Sequence, residues 1–104
     1  MSVNIDFNFT VTDVTDEEQA QQIVRELDEM LRDEAIKDQV NLGVVFDEGK
    51  WFVSGETDFP LIITRFALWK PEFESTFRYC VGKVAAAAKV TIDWGYPDLE
   101  GAGR

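Results

Sequence analysis

Nine residues near the start of the chain constrain its fold more tightly than any other feature. From Val3 to Val11 the odd positions are Val, Ile, Phe, Phe and Val, and the even positions are Asn, Asp, Asn and Thr. A period of two belongs to a β-strand, whose successive side chains point to opposite faces. The segment is therefore a strand with one dry face and one wet face. Such a strand needs cover on one side and water on the other, which directs the chain towards an antiparallel sheet packed on a single face.

The same signature returns later. Lys89 to Trp94 alternates, with Val90, Ile92 and Trp94 opposed by Lys89, Thr91 and Asp93. Val40 to Phe46 and Trp51 to Thr57 are β-type runs joined by Asp47-Glu48-Gly49-Lys50, where Gly49 accepts a positive φ, so they predict a hairpin. Leu61 to Trp69 is apolar, β-branched at its start and short, and predicts a further strand.

Two segments follow a helical period instead. Thr15 with Glu18 fits a capping box, and from about Asp16 to Glu34 a turn of 100° per residue gathers Ala20, Ile23, Val24, Leu27, Met30 and Leu31 on one arc. The opposite side carries Glu18, Gln22, Glu26, Glu29 and Asp33, an acidic outer ridge. Pro71 suits the first turn of a second helix, with Phe73, Phe77, Cys80, Val81, Val84 and Ala88 on its apolar arc through the Ala85 to Ala88 run. Its other ridge, Ser75, Tyr79, Gly82 and Ala86, is nearly uncharged and suits close packing beside the first helix. Gly95 and Pro97 end the last strand, and residues 98–104 read as a flexible tail.

The order β-α-β-β-(β)-α-β, with one-faced strands and one-faced helices, predicts a two-layer α+β sandwich. Its mostly antiparallel sheet is covered on one face by two helices, an arrangement of ferredoxin-like type with one added strand. With 104 residues, the chain has room for one domain spanning 1–104.

Composition narrows the chemistry. There is no His and a single Cys, which removes His-type serine triads, thiolate zinc sites and internal disulfides. No cofactor or metal is expected, and no Gly-rich phosphate loop follows a strand. Residues 1–57 hold 14 acidic and 4 basic residues, the remainder 6 of each, so the whole net charge of -10 arises in the first part. That balance argues against nucleic acid or anionic lipid as a partner and leaves a basic protein as the expected one. No run approaches the roughly 18 apolar residues of a membrane span, and the first residues lack a basic, apolar leader, so a cytoplasmic location is expected.

Three sets of residues are candidates for contact. The ridge Glu18, Glu26, Glu29 and Asp33 contains like-charge neighbours that each cost about 0.2–0.5 kcal/mol in an isolated helix, so helix stability does not recommend them. Such a ridge is either a solubilising face or a docking surface for a basic protein, the kind that an inhibitor or immunity-type protein presents. If Trp51 and Val53 face the helices, Phe52 faces away beside Ser54 and Glu56, with Val45 near it. A large aromatic on a polar sheet face is a contact residue for a partner or for a second copy. Trp94 and Tyr96 either seal the end of the core or form an interface pair.

Catalysis has little to build on. Glu56 with Asp58, or Asp93 beside Trp94 and Tyr96, could supply a carboxylate pair, but acids are frequent here. Cys80 lies on an apolar arc, where a small core residue is expected. The sequence thus predicts a non-enzymatic, acidic protein-binding module. The alternatives are a homodimeric α+β domain that binds a ligand or carries a small enzymatic site, and a structural subunit of a larger assembly.

Overall fold

A computed structural model of the chain describes residues 2–58 and 60–96. The expected flexible tail, residues 98–104, lies outside them. Strand β1 (Ser2–Val14) is followed by helix α1 (Glu17–Asp33), strands β2 (Val40–Asp47), β3 (Lys50–Thr57) and β4 (Leu61–Thr64), helix α2 (Phe66–Val84) and strand β5 (Lys89–Gly95). The five strands form one antiparallel sheet in which β2 pairs with β3, β3 with β1, and β1 with both β4 and β5. The predicted two-layer α+β sandwich is the fold observed.

β1 organises the sheet because it is long enough to serve several partners. Residues 8–14 pair with β3, residues 6–12 with β5, and residues 2–5 with β4. Its odd side chains Ile5, Phe7, Phe9 and Val11 are buried, as the period of two requires. At Asp13 the backbone turns to φ 60 and the register with β3 shifts, so that Val14 rather than Asp13 returns to the dry face opposite Trp51. This is a β-bulge: the extra residue restores burial at the strand end.

The dry face packs on α1 and α2 through one cluster. Ile23, Leu27 and Leu31 of α1 and Phe73, Phe77 and Val81 of α2 are buried with the odd residues of β1 and Val53. Phe9 meets Phe77 edge to face at 4.8 Å and Phe7 meets Phe73 at 5.5 Å. Burial of each such ring contributes about 1.5–3 kcal/mol relative to exposure. Gly55, paired with Phe9, has to be a glycine: a Cβ there would overlap the Phe9 ring and the Asn41 carbonyl.

Four local expectations are corrected. The helix N-cap is Asp16, not Thr15: its carboxylate accepts from the Gln19 N–H at 2.8 Å, and the Gln19 side chain accepts from the Thr15 N–H at 2.9 Å. The box is displaced by one residue, because Asp caps as well as Thr and Gln serves as well as Glu, so Glu18 is left exposed outside it. Next, the segment expected as one strand from Leu61 to Trp69 splits into β4 and the first turn of α2. The helical spacing of Phe66, Trp69 and Phe73 continues upstream of Pro71, which therefore lies inside the helix instead of in its expected first turn and leaves the Ala67 carbonyl without its i+4 donor.

At the other end, α2 stops at Val84 instead of running through the alanines. Ala85–Ala88 form a turn closed by the Ala88 N–H on the Ala85 carbonyl at 3.0 Å, which brings Lys89 opposite Thr12. The helix preference of alanine is worth tenths of a kcal/mol per residue and yields to strand pairing and to burial of Ala85. The ridge of Ser75, Tyr79 and Gly82 also faces solvent: Tyr79 is 66% exposed and nothing lies within 4 Å of a Cβ placed on Gly82.

Candidate functional site

The two outer surfaces of the sandwich, the helical side and the bare face of the sheet, hold the candidate contact residues. On the helical side α1 presents Glu18, Glu29 and Asp33 to solvent, as the ridge predicts. Glu26 is different. Its carboxylate binds the Lys83 ammonium of α2 at 2.6 Å and is 31% exposed, so it joins the two helices. The hydrogen bond that Lys83 donates to Glu26 raises the Lys83 pKa above its ordinary 10.5; loss of hydration opposes this and the Glu26 charge adds to it. Asp28 likewise pairs with Lys37 at 3.4 Å. The ridge expected from the sequence is thus interrupted at its middle, because helix packing brought a lysine there that helix periodicity does not reveal.

Trp94 and Tyr96 belong to the core end. Trp94 pairs with Phe7 on the dry face and meets Phe66, Trp69 and Phe73 at centroid distances of 5.5, 5.9 and 5.9 Å. Its Nε1–H donates to Glu74 at 3.2 Å, while Lys70 lies 5.6 Å over its ring and donates to the Tyr96 hydroxyl at 3.4 Å. With their polar atoms partnered and their rings packed, both residues seal the sandwich, the sealing role weighed for them from the sequence. Cys80 is buried, and burial raises its thiol pKa above 9.0, with Lys83 opposing and Glu26, Asp33 and Glu29 adding to the rise. A thiol held protonated is a poor nucleophile.

The bare face is built by the even positions of β1 and their partners. Phe52 lies directly opposite Val45, both half-buried, where parity places them. Further along, pairing assembles a row that no single segment displays. Asn41 is opposite Glu56, Glu56 opposite Asn8, and Asn8 opposite Asp93. Asp58, at the end of β3, accepts a hydrogen bond from the Asn41 side chain. The Asp6 carboxylate lies over Gly95, close enough that a Cβ there would displace it. Four carboxylates therefore gather on one half of this face.

Between that half and Phe52 the side chains are small. Thr10, Ser54 and Gly43 are aligned across the strands, and with Asn8, Asn41 and Glu56 they border a shallow depression of about 430 Å³. A Cβ on Gly43 would meet nothing within 4 Å. The lysines of this face, Lys50 and Lys89, stand at the opposite end, and Lys89 is held by Asp13 at 3.6 Å. The sequence signal for this site was the shared wet parity of Asp6, Glu56 and Asp93. Their adjacency needed the register.

Among the described residues no cluster of three or more His, Cys, Asp or Glu side chains is placed to hold a metal ion, and no helix is long and apolar enough to cross a membrane. No family model matches the chain, and no curated protein matches it. Solved structures do. A dimeric ferredoxin-like protein from an uncultured marine organism superposes with a TM-score of 0.57 at 14% identity, covering 89% of this chain and 94% of that one. The de novo designed protein Foldit4 superposes with a TM-score of 0.55 at 15% identity, covering 91% of this chain and 97% of that one. At such identities the likeness concerns the fold, which is ferredoxin-like with β4 added.

Proposed function

We propose that this chain is a small acidic protein-binding module that engages a basic protein. One observation carries the reading: against a net charge of -10, the described residues form three ion pairs, so both outer surfaces keep carboxylates without a counter-ion. Charges left in water in this way add little to stability, and their collective field speeds encounter with an oppositely charged partner. An inhibitor or immunity-type role against a basic enzyme is one form this binding takes.

The test is capture of partners from the host extract on the immobilised full chain, at low salt and at about 1 M salt, where screening falls to roughly 3 Å. The expected result is a basic protein retained at low salt and released at high salt. A neutral or acidic partner that stays bound through the salt step overturns the reading.

A second reading, a homodimeric α+β domain, is favoured by the dimeric state named for the marine ferredoxin-like protein and by the apolar pair Phe52 and Val45 on the bare face. Sedimentation equilibrium separates the two readings. A monomer at all concentrations leaves the bare face open to a different partner.

A further inference from the structure

The bare face of the sheet carries both signs of charge, kept at opposite ends. Asp93, Asn8, Glu56 and Asn41 form one row across the strands, and Thr91, Thr10, Ser54 and Gly43 form the next. Phe52 and Val45 follow on β3 and β2, with Lys50 beyond them, while Lys89 stands opposite Thr12 on β5. Along the strands the face thus passes from acidic to small, then to aromatic and basic. The depression of about 430 Å³ lies at Ser54 and Gly43, directly beside Phe52 and Val45. A cavity of about 150 Å³ already holds a benzene ring, so this one has room for a phenyl group.

This order is complementary to itself when reversed. A two-fold axis running across the strands, level with Val44, Val53, Val11 and Val90, lays a second copy face to face with its strands reversed and each strand over its own counterpart. Phe52 then lies over Ser54 of the other copy, Val45 over Gly43, Lys50 over Glu56 and Asp47 over Asn41. On β5, Lys89 comes over Thr91, two residues or about 7 Å from Asp93, a distance that a lysine side chain spans. Its present pair with Asp13, 3.6 Å between side chains that are 79% and 56% exposed, is weak enough to yield to another carboxylate. With the strands of the two copies running the same way, the acidic row would lie on itself, which like charge disfavours.

Resting on the homodimer reading, we propose that the bare face is covered by a second copy in this reversed arrangement. The Phe52 ring of each copy fills the depression at Ser54 and Gly43 of the other, and Lys50 of each meets Glu56 of the other. Small residues at the centre let the two sheets approach, and the ring supplies the apolar contact that each face lacks alone. Four strands spaced about 4.8 Å apart and overlapping over roughly seven residues present about 450 Å² on each copy before side-chain relief is added. That is the size of a transient interface, so association sets in at about 10 μM and above and the dilute chain is monomeric. The α1 ridge faces away from this contact and stays open to solvent in the dimer.

The test is sedimentation equilibrium of the full chain at about 0.15 M salt, from roughly 5 to 500 μM, with far-UV circular dichroism to confirm that each variant is folded. The wild type is expected to dimerise over this range. Phe52→Asp, which puts a charge into the depression, and Gly43→Leu, which fills it where a Cβ meets nothing in the monomer, should each weaken the dimer about tenfold or more. Lys50→Glu and Glu56→Lys should each weaken it about fivefold or more alone, and their equimolar mixture should recover an affinity within about threefold of the wild type, since each mutant then faces its opposite. A dimer indifferent to both Phe52→Asp and Gly43→Leu overturns the proposal and leaves the homodimer reading intact on another surface. A dimer sensitive to them, whose charge variants show no recovery in the mixture, overturns the reversed arrangement. A monomer up to about 500 μM overturns both the proposal and the homodimer reading.

Discussion

The two sides of the sheet are made by the same strands and differ in almost every physical respect. On the helical side, Phe9 and Val53 sit among rings and aliphatic chains with essentially no exposure, and the carboxylate at the middle of the α1 ridge is neutralised by Lys83. On the bare side, Phe52 keeps partial exposure and the carboxylates of Glu56 and Asp93 have no base between them. Cover on one side supplies both apolar contact and a counter-ion; lack of cover on the other leaves charge and an aromatic ring in water. Surface that stability does not need is surface available for recognition.

The contrast is broken most directly by truncating one ring on each side. Phe9→Ala is expected to cost about 3–5 kcal/mol in chemical denaturation, since it leaves a cavity against Phe77 and Gly55, whereas Phe52→Ala should stay within about 1 kcal/mol. A loss above about 2 kcal/mol for Phe52→Ala would mean that its side of the sheet is covered after all. A smaller effect of the same kind comes from two glycines on facing strands. Gly55→Ala forces a methyl group into the Phe9 ring and should cost about 1–3 kcal/mol, while Gly43→Ala points into open solvent and should be neutral or slightly stabilising.

The smallest effect sharpens the electrostatic half of the comparison. Because the Lys83 pKa is raised on folding, its contribution is complete below 10.5 and is lost as pH rises through the raised value. Glu26→Gln removes that linkage. The wild-type chain should therefore be slightly more stable than Glu26→Gln at neutral pH, with the gap closing above pH 10.5, as read from paired thermal melts. A gap that persists at the alkaline end would show that Glu26 acts through packing instead.

Much of this architecture was legible in the residues. The alternation in β1 and β5, the hairpin at Asp47–Lys50 and the apolar arc of α1 predicted the elements that appear. The misreadings share a cause. Thr15 and Asp16 compete for one cap, Phe66 to Trp69 is apolar enough for strand or helix, and Ala85 to Ala88 favours helix intrinsically. In each case local preference left alternatives within about 1 kcal/mol, and tertiary contacts chose between them.

Local periodicity and composition establish which side of each strand is dry, where the excess negative charge arises along the chain, and that the second layer consists of two helices. That Glu26 is claimed by Lys83, and that Glu56, Asn8 and Asp93 stand side by side, emerges when the helices and strands come together. Neighbours across a sheet or between helices are set by register and packing. A slip of one residue would carry a side chain to the opposite face, and no segment encodes that register alone.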